Sequence, residues 1–321
     1  MGGTAFAKYD MISKRMNVEE FKRLKSEIYN VLEQKNIEYL DIPYIKDKDT
    51  FGDIDILIVE NEECTTIKTI YENLDKFGLT INEIIRNGDY VSIMYKGSQV
   101  DLIKTQPEYK YYHQSYLSHN DLGNLLGRTI KEAGFKHGHD GLFYTYRSGD
   151  KFKKEILLSR DHDVTLNILG LDPQKFKDGF DTLTDMFDFV ISSPYFKPSR
   201  YQLSALNNRN RVRDRKRKNY NAFLKYIEGM QNSVLKVPSP FDLFDHLQGE
   251  VNKIVDKHEK KIKLRSKFNG NLCMKLTDLR GEDLGKFIGK ITEKYKDILD
   301  KTDDEIKDII LFERSLYIPL T

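Results

Sequence analysis

The chain has 321 residues, 39% hydrophobic and 32% charged, with a formal net charge of +2; that is enough apolar material for a buried core, and the molecule as a whole is not a polycation. No run approaches the ~18 consecutive apolar residues of a membrane-spanning helix, and the start, MGGTAFAKYDM, lacks the basic-then-apolar layout of a secretory leader. Two distant cysteines, Cys64 and Cys273, give neither a disulfide framework nor a zinc site, so a reducing, cytoplasmic setting without membrane or disulfide-linked partners is expected.

In chain order, residues 18–35 place Val18, Phe21, Leu24, Ile28, Val31 and Leu32 at three- and four-residue steps. That spacing predicts an amphipathic helix, with Asn17 as its N-cap. The segment 37-IEYLDIPYI-45 is rich in β-formers but carries a proline, which suggests an edge strand or a break. Next, 53-DIDILIV-59 reads as a buried strand, and residues 65–77 return to a helical pattern. A strand pair, 90-YVSIMYK-96 and 99-QVDLIK-104, meets at Gly97-Ser98 as a hairpin. Residues 105–120 are polar and aromatic and read as a linker. Beyond them, 121–134 looks helical, 142–147 and 154–159 look like short strands, and 161–196 looks helical with turns at Asp172-Pro173 and Ser193-Pro194. The remainder is mostly helical by period, broken at 237-VPSP-240.

The stretch 47-DKDTFGDIDILIVE-60 holds five carboxylates in fourteen residues. A calcium loop starting at Asp47 would need oxygen donors at its fifth and twelfth positions, where Phe51 and Ile58 stand. A strand with polar edges accounts for Asp47 and Asp49 as turn residues, and less well for Asp53 and Asp55. Side chains alternate along a strand, so these two point to one face while Ile54 and Ile56 point to the other. Two such carboxylates repel unless they are solvated or bridged by a cation. If the strand carrying Asp101 neighbours theirs, three carboxylates meet in an oxygen-only site suited to Mg²⁺.

G-D-I-D-I-L-I with a later V-D-L-I resembles the nucleotidyltransferase superfamily that includes DNA polymerase beta, poly(A) polymerases and CCA-adding enzymes. The likeness covers roughly residues 1–110. It implies that Asp53 and Asp55 hold Mg²⁺ or Mn²⁺, and that Asp101 completes the metal site and helps deprotonate the acceptor hydroxyl. With the elements read above it gives an α+β fold: a mixed sheet with flanking helices as a catalytic domain over residues 1–115, followed, on the periodicity alone, by a mixed, mostly helical region with a short strand pair (116–200) and a helical C-terminal region (201–321). One departure is plain. The family places a Gly-Gly or Gly-Ser pair about ten residues before D-x-D, where backbone N–H groups meet the triphosphate; here that position reads 46-KDKDTFG-52. Gly2, Gly3 and Thr4, followed by Lys8, Lys14 and Arg15, are one substitute for the nucleotide site. Lys46, Lys48 and Thr50, leading to Gly52, are another. A flexible end is the third reading of the glycines.

The run 209-RNRVRDRKRK-218 sets seven basic residues against one Asp. It is either a solvated helix face or a phosphate-binding surface made of Arg209, Arg211, Arg213, Arg215, Lys216, Arg217 and Lys218, with Tyr201 and Tyr220 as stacking platforms. His137, His139 and Asp140 read as a turn, and 160-RDHD-163 as an acid-rich helix start. The segment 268–291, with 280-RGEDLG-285, resembles the tail of CCA-adding and bacterial poly(A) polymerases; a capped amphipathic helix explains it as well. The expected function is metal-dependent transfer of NMP or dNMP from a nucleoside triphosphate to a hydroxyl, foremost a nucleic-acid 3′ end (RNA or DNA). A protein or small-molecule acceptor is the second expectation, and a catalytically inactive nucleic-acid-binding protein the third.

Overall fold

The computed structural model describes residues 3, 5–10, 12–60, 81–149, 152–232 and 236–317, with all of their side chains except those of 8, 81–83 and 152. The helix expected at 65–77 and Cys64 lie outside these residues. The fold is α+β, and the chain forms two compact units, Met1–Phe244 and Asp245–Thr321.

In the first unit a short strand β1 (Met16–Asn17) leads into α1 (Val18–Gln34). Asn17 caps the helix as its sequence suggests, accepting the Glu20 N–H at 2.9 Å. Phe21, Leu24, Ile28, Val31 and Leu32 are buried against the sheet. Then come β2 (Tyr39–Asp41), β3 (Thr50–Phe51), β4 (Asp53–Val59), β5 (Ile81–Asn87), β6 (Tyr90–Tyr95) and β7 (Ser98–Thr105). Five of them form a mixed sheet in the order β2-β4-β7-β6-β5, while β1 pairs with β3. Within the five-stranded sheet, β4 and β7 run parallel and the other pairs antiparallel. The β6–β7 hairpin turns on Lys96 (φ 47°) and Gly97 (φ 80°). Two positive φ values match the right-handed twist of the flanking strands, so the turn sits one residue before the expected Gly97-Ser98. Strand β5 had no sequence expectation.

The segment expected as a linker is a helix, α2 (Lys110–Leu117). Tyr109, Tyr112, His113 and Tyr116 recur at i, i+3, i+4 and i+7, which puts them on one face. Tyr112 and His113 are buried, and the Tyr112 hydroxyl hydrogen-bonds Thr165 Oγ1 at 2.9 Å. Next are α3 (Leu122–Ile130), continued by a 3₁₀ turn (Lys131–Ala133) that Gly134 ends at φ 93°, and a three-stranded antiparallel sheet of β8 (Phe135–Gly138), β9 (Gly141–Ser148) and β10 (Phe152–Ser159). Then follow α4 (His162–Ile168), α5 (Pro173–Asp178), α6 (Leu183–Ile191), α7 (Asn208–Arg215), α8 (Lys218–Tyr226) and α9 (Pro240–Leu243). Asp161 caps α4, accepting the Asp163 N–H at 2.8 Å. One apolar core joins Ile45 to buried residues from Tyr112 to Ile227. The expected division at 200/201 therefore cuts through a single core: Tyr201, Tyr220 and Phe223 pack with Leu125 and Leu126.

The second unit holds α10 (Leu247–Lys267), α11 (Gly270–Thr277), α12 (Gly281–Lys294) and α13 (Asp303–Ser315). Its own core joins Phe268, Cys273, Leu279, Phe287, Ile291, Ile298, Ile306 and Ile310. The segment 268–291 is thus two helices whose apolar faces fill that core. Among the described residues no helix is long and apolar enough to cross a membrane.

Candidate metal centre

Strand alternation places Asp53 and Asp55 on one face of β4 and buries Ile54 and Ile56 on the other, in the core beneath α1. The parallel register sets Asp101 of β7 directly beside Asp55, and Gln99 beside Asp53. One carboxylate oxygen from each of Asp53, Asp55 and Asp101 lies within 4.8 Å of the others. Among the described residues this is the one group of three His, Cys, Asp or Glu side chains close enough to share a metal ion.

The electrostatics fit a cation. Burial raises the Asp55 carboxyl well above the ordinary range, and Asp53 and Asp101 raise it further by repulsion. Burial also raises Asp53, against the Gly3 N–H and Lys48, which favour its charged form. Asp101 is pushed up to about 6 by burial, with hydrogen bonds from Ser92 and Gln99 opposing and the charge of Asp53 adding. All three groups are hard oxygen donors, as Mg²⁺ or Mn²⁺ prefers.

Asp53 and Asp55 line a cleft of ≈ 720 Å³, within the usual range of small-molecule sites. It is lined by Arg15, Lys48, Asp49, Thr50, Gly52, Asp53 and Asp55 from the region of β1 to β4, and by Asn120, Asp121, Arg217, Lys218 and Asn219 from later in the chain. Lys48 donates to Asn120 Oδ1 at 3.3 Å and lies over the Phe51 ring, 4.6 Å from its centroid. Burial lowers its pKa, and Asp53 and Asp55 oppose that shift. Arg15 donates to the Thr50 carbonyl at 3.3 Å and to its hydroxyl at 3.0 Å.

Of the two expected phosphate-holding sets, each is placed in part. Gly3 donates its N–H to Asp53 Oδ2 at 2.9 Å. Its φ is +79°, and a Cβ there would lie 2.1 Å from the Gly52 carbonyl oxygen, so only glycine permits this approach. Gly2, Thr4 and the Lys8 side chain lie outside the described residues. Lys14 pairs with Glu20. Lys48, Thr50 and Gly52 line the cleft, whereas Lys46 does not: it pairs with Asp181 at 2.7 Å. Asp49, expected as a plain turn residue, also lines the cleft.

The basic run divides. Asp214, its one acid, is fully buried and takes Arg128 and Arg213, with the Arg217 Nε 3.8 Å away. Arg213 also donates to Asn124 Oδ1 at 2.8 Å, Arg211 to the Leu206 carbonyl at 3.0 Å, and Arg217 to Asp121. Arg209, Arg215, Lys216 and Lys218 are exposed, and none has an ion pair among the described residues. Tyr201 and Tyr220 are not stacking platforms. Both are fully buried, the Tyr201 hydroxyl against Thr129 Oγ1 at 2.5 Å and the Tyr220 hydroxyl on the Tyr201 carbonyl at 2.5 Å. His137 is buried beside Tyr112, Tyr116 and His162, and burial lowers its pKa to about 4.

Sequence reasoning missed Ser92, Gln99, Asn120, Asp121 and Asn219. Ser92 stands opposite Asp101 in the β6–β7 register, and only strand pairing reveals that. No protein-family model matches the chain, and no curated protein matches it.

Proposed function

We propose that the protein is a metal-dependent nucleotidyltransferase, moving NMP or dNMP from a nucleoside triphosphate to a hydroxyl with release of pyrophosphate. The observation that carries this reading is the convergence of Asp53, Asp55 and Asp101, two of which, Asp53 and Asp55, line the cleft. Asp53, Asp55 and Asp101 would hold Mg²⁺ or Mn²⁺, which supplies charge neutralisation for the phosphates and lowers the pKa of a bound hydroxyl. Lys48, Arg15, Arg217 and Lys218 set positive charge around the cleft, where it can balance a triphosphate. Asp101, a carboxylate that burial pushes up to about 6 in the cation-free site, is suited to accept the acceptor's proton.

The acceptor we favour is a nucleic-acid 3′ end, because Arg209, Arg215, Lys216 and Lys218 remain exposed for phosphate contact. A protein or small-molecule hydroxyl is the second reading. It gains support from the intramolecular bonds that already engage Arg211, Arg213 and Arg217. The test is incubation of purified protein with Mg²⁺ or Mn²⁺, labelled NTPs or dNTPs, and RNA or DNA oligonucleotides, beside a mixed-protein and metabolite fraction. Extension of the oligonucleotide supports the first reading, and label on protein or small molecule the second. Losing several kcal/mol of charge stabilisation in Asp55→Asn should slow transfer about 10³-fold. Equal activity in Asp55→Asn, or no transfer to any acceptor, would remove the proposal.

A further inference from the structure

Gln99 of β7 is 3% exposed, and its side-chain amide is fully engaged. Its Nε2 donates to both oxygens of Asp101, at 2.9 and 3.0 Å. Its Oε1 accepts the backbone N–H of Ala5 at 2.9 Å. Only one orientation of the amide serves both neighbours: a backbone N–H can only donate, and a carboxylate can only accept. The Ala5 N–H therefore dictates that the NH₂ group faces Asp101. With the amide turned over, Oε1 would stand against the carboxylate, and a buried acceptor pair is repulsive.

Ala5 belongs to an N-terminal strap whose described residues, 3, 5–10 and 12–14, are tied at Gly3, Ala5, Ser13 and Lys14 to residues at and beside the starts of β4 and β7. Besides the Gly3 bond to Asp53, the Gln99 N–H donates to Ser13 Oγ at 2.9 Å, and the Lys14 N–H donates to the Gly97 carbonyl at 2.8 Å. The strap thus touches two of the three carboxylates, Asp53 directly and Asp101 through one amide.

We infer that Gln99 is a positioning residue that ties docking of the N-terminal strap to the alignment of Asp101, so that affinity for a divalent cation depends on the strap. This rests on the metal-dependent reading above. It adds to that reading a control of the carboxylate site by a chain segment 94 residues away in sequence.

Electron paramagnetic resonance of Mn²⁺ titrated into full-length protein measures the dependence, with thermal melts verifying that each variant is folded. Gln99→Met keeps bulk and removes both amide functions. Cation affinity should fall on the order of 10-fold or more, as for other groups that orient metal ligands. Ala5→Pro removes the N–H while leaving Gln99 intact, at the first position of a short 3₁₀ helix (Ala5–Tyr9) where proline is tolerated. It should weaken Mn²⁺ binding in the same direction, and the double variant should bind no more weakly than Gln99→Met alone, since Ala5 acts through Gln99. A folded Gln99→Met protein with unchanged Mn²⁺ affinity overturns the inference, as do additive losses in the double variant. If Gln99→Met does not fold, Ala5→Pro decides: unchanged affinity overturns the inference, and weakened affinity upholds it. A wild-type protein that binds no Mn²⁺ overturns the metal-dependent reading and this inference together, whereas Mn²⁺ binding indifferent to Ala5 and Gln99 overturns this inference alone.

Discussion

Asp55 and Asp101 stand side by side across a parallel strand pair, and without a cation the fold must contain their repulsion. The consequence for stability has a definite sign. Burial and the Asp53 charge hold Asp101 at about 6, against an ordinary 3.8. A carboxyl raised in the folded state favours folding fully below its unfolded pKa, and that contribution is lost as pH rises through the folded value. Asp53 and Asp55 shift in the same direction. The cation-free protein should therefore lose thermal stability between about pH 4 and pH 7. Mg²⁺ at pH 7.5 should restore it, because a ligand that binds only the folded state adds stability. Melting curves of wild-type protein and Asp101→Asn across this range check the point: the variant should show a shallower fall. A fall of equal depth in both would place the pH response elsewhere. Much of this site was readable from residues alone. The two-residue spacing of Asp53 and Asp55 put them on one face, and the apolar setting of Asp101 marked a strand position. Gly3 was only half-readable and Ala5 not at all, because their bonds span 50 and 94 residues and nothing in local pattern announces a partner.

At the level of elements, the basic run shows how composition misleads when a single opposite charge is buried. Seven cations outnumber one acid, yet Asp214 draws Arg128 and Arg213 into contact and has Arg217 close by. It thereby helps fix α7 and α8 against α3. Removing one partner of a buried ion pair costs about 3–5 kcal/mol, so Asp214→Ala should lower the free energy of unfolding by that order in a denaturant titration. The same division predicts which cations serve binding. Replacing Arg209, Arg215 and Lys216 by Gln should leave the melting temperature within a few degrees. It should also flatten the salt dependence of oligonucleotide binding by about 0.7 to 0.9 in log–log slope per lost phosphate contact. An unchanged slope would remove this patch from the interface. The α2 helix shows the converse failure. Its polar, aromatic composition suggested a linker, whereas the three- and four-residue spacing of Tyr109, Tyr112, His113 and Tyr116 already specified a buried face. Strand β5 was missed because 81-INEIIRN-87 lacks clean alternation and gains its place by pairing with β6.

For the whole molecule, the division at Phe244/Asp245 separates the cleft from the C-terminal helices. Every residue lining the cleft, and every bond described for the carboxylates, lies before residue 244. The C-terminal unit fills its own core with eight buried apolar side chains, from Phe268 to Ile310. Its last helix starts with a capping box, in which Thr302 and Glu305 satisfy each other's backbone N–H groups. A core and closed helix ends of its own are what an independently folding unit requires. Expressed alone, residues 1–244 should therefore melt cooperatively and bind Mn²⁺ with an affinity close to that of the full chain. Residues 245–321 should be helical by circular dichroism, with a separate and lower melting temperature, since a unit of that size buries a smaller share of its surface. Loss of Mn²⁺ binding in a folded 1–244 fragment would show that the carboxylate site depends on the C-terminal helices, and the division of labour argued from the two cores would then be wrong.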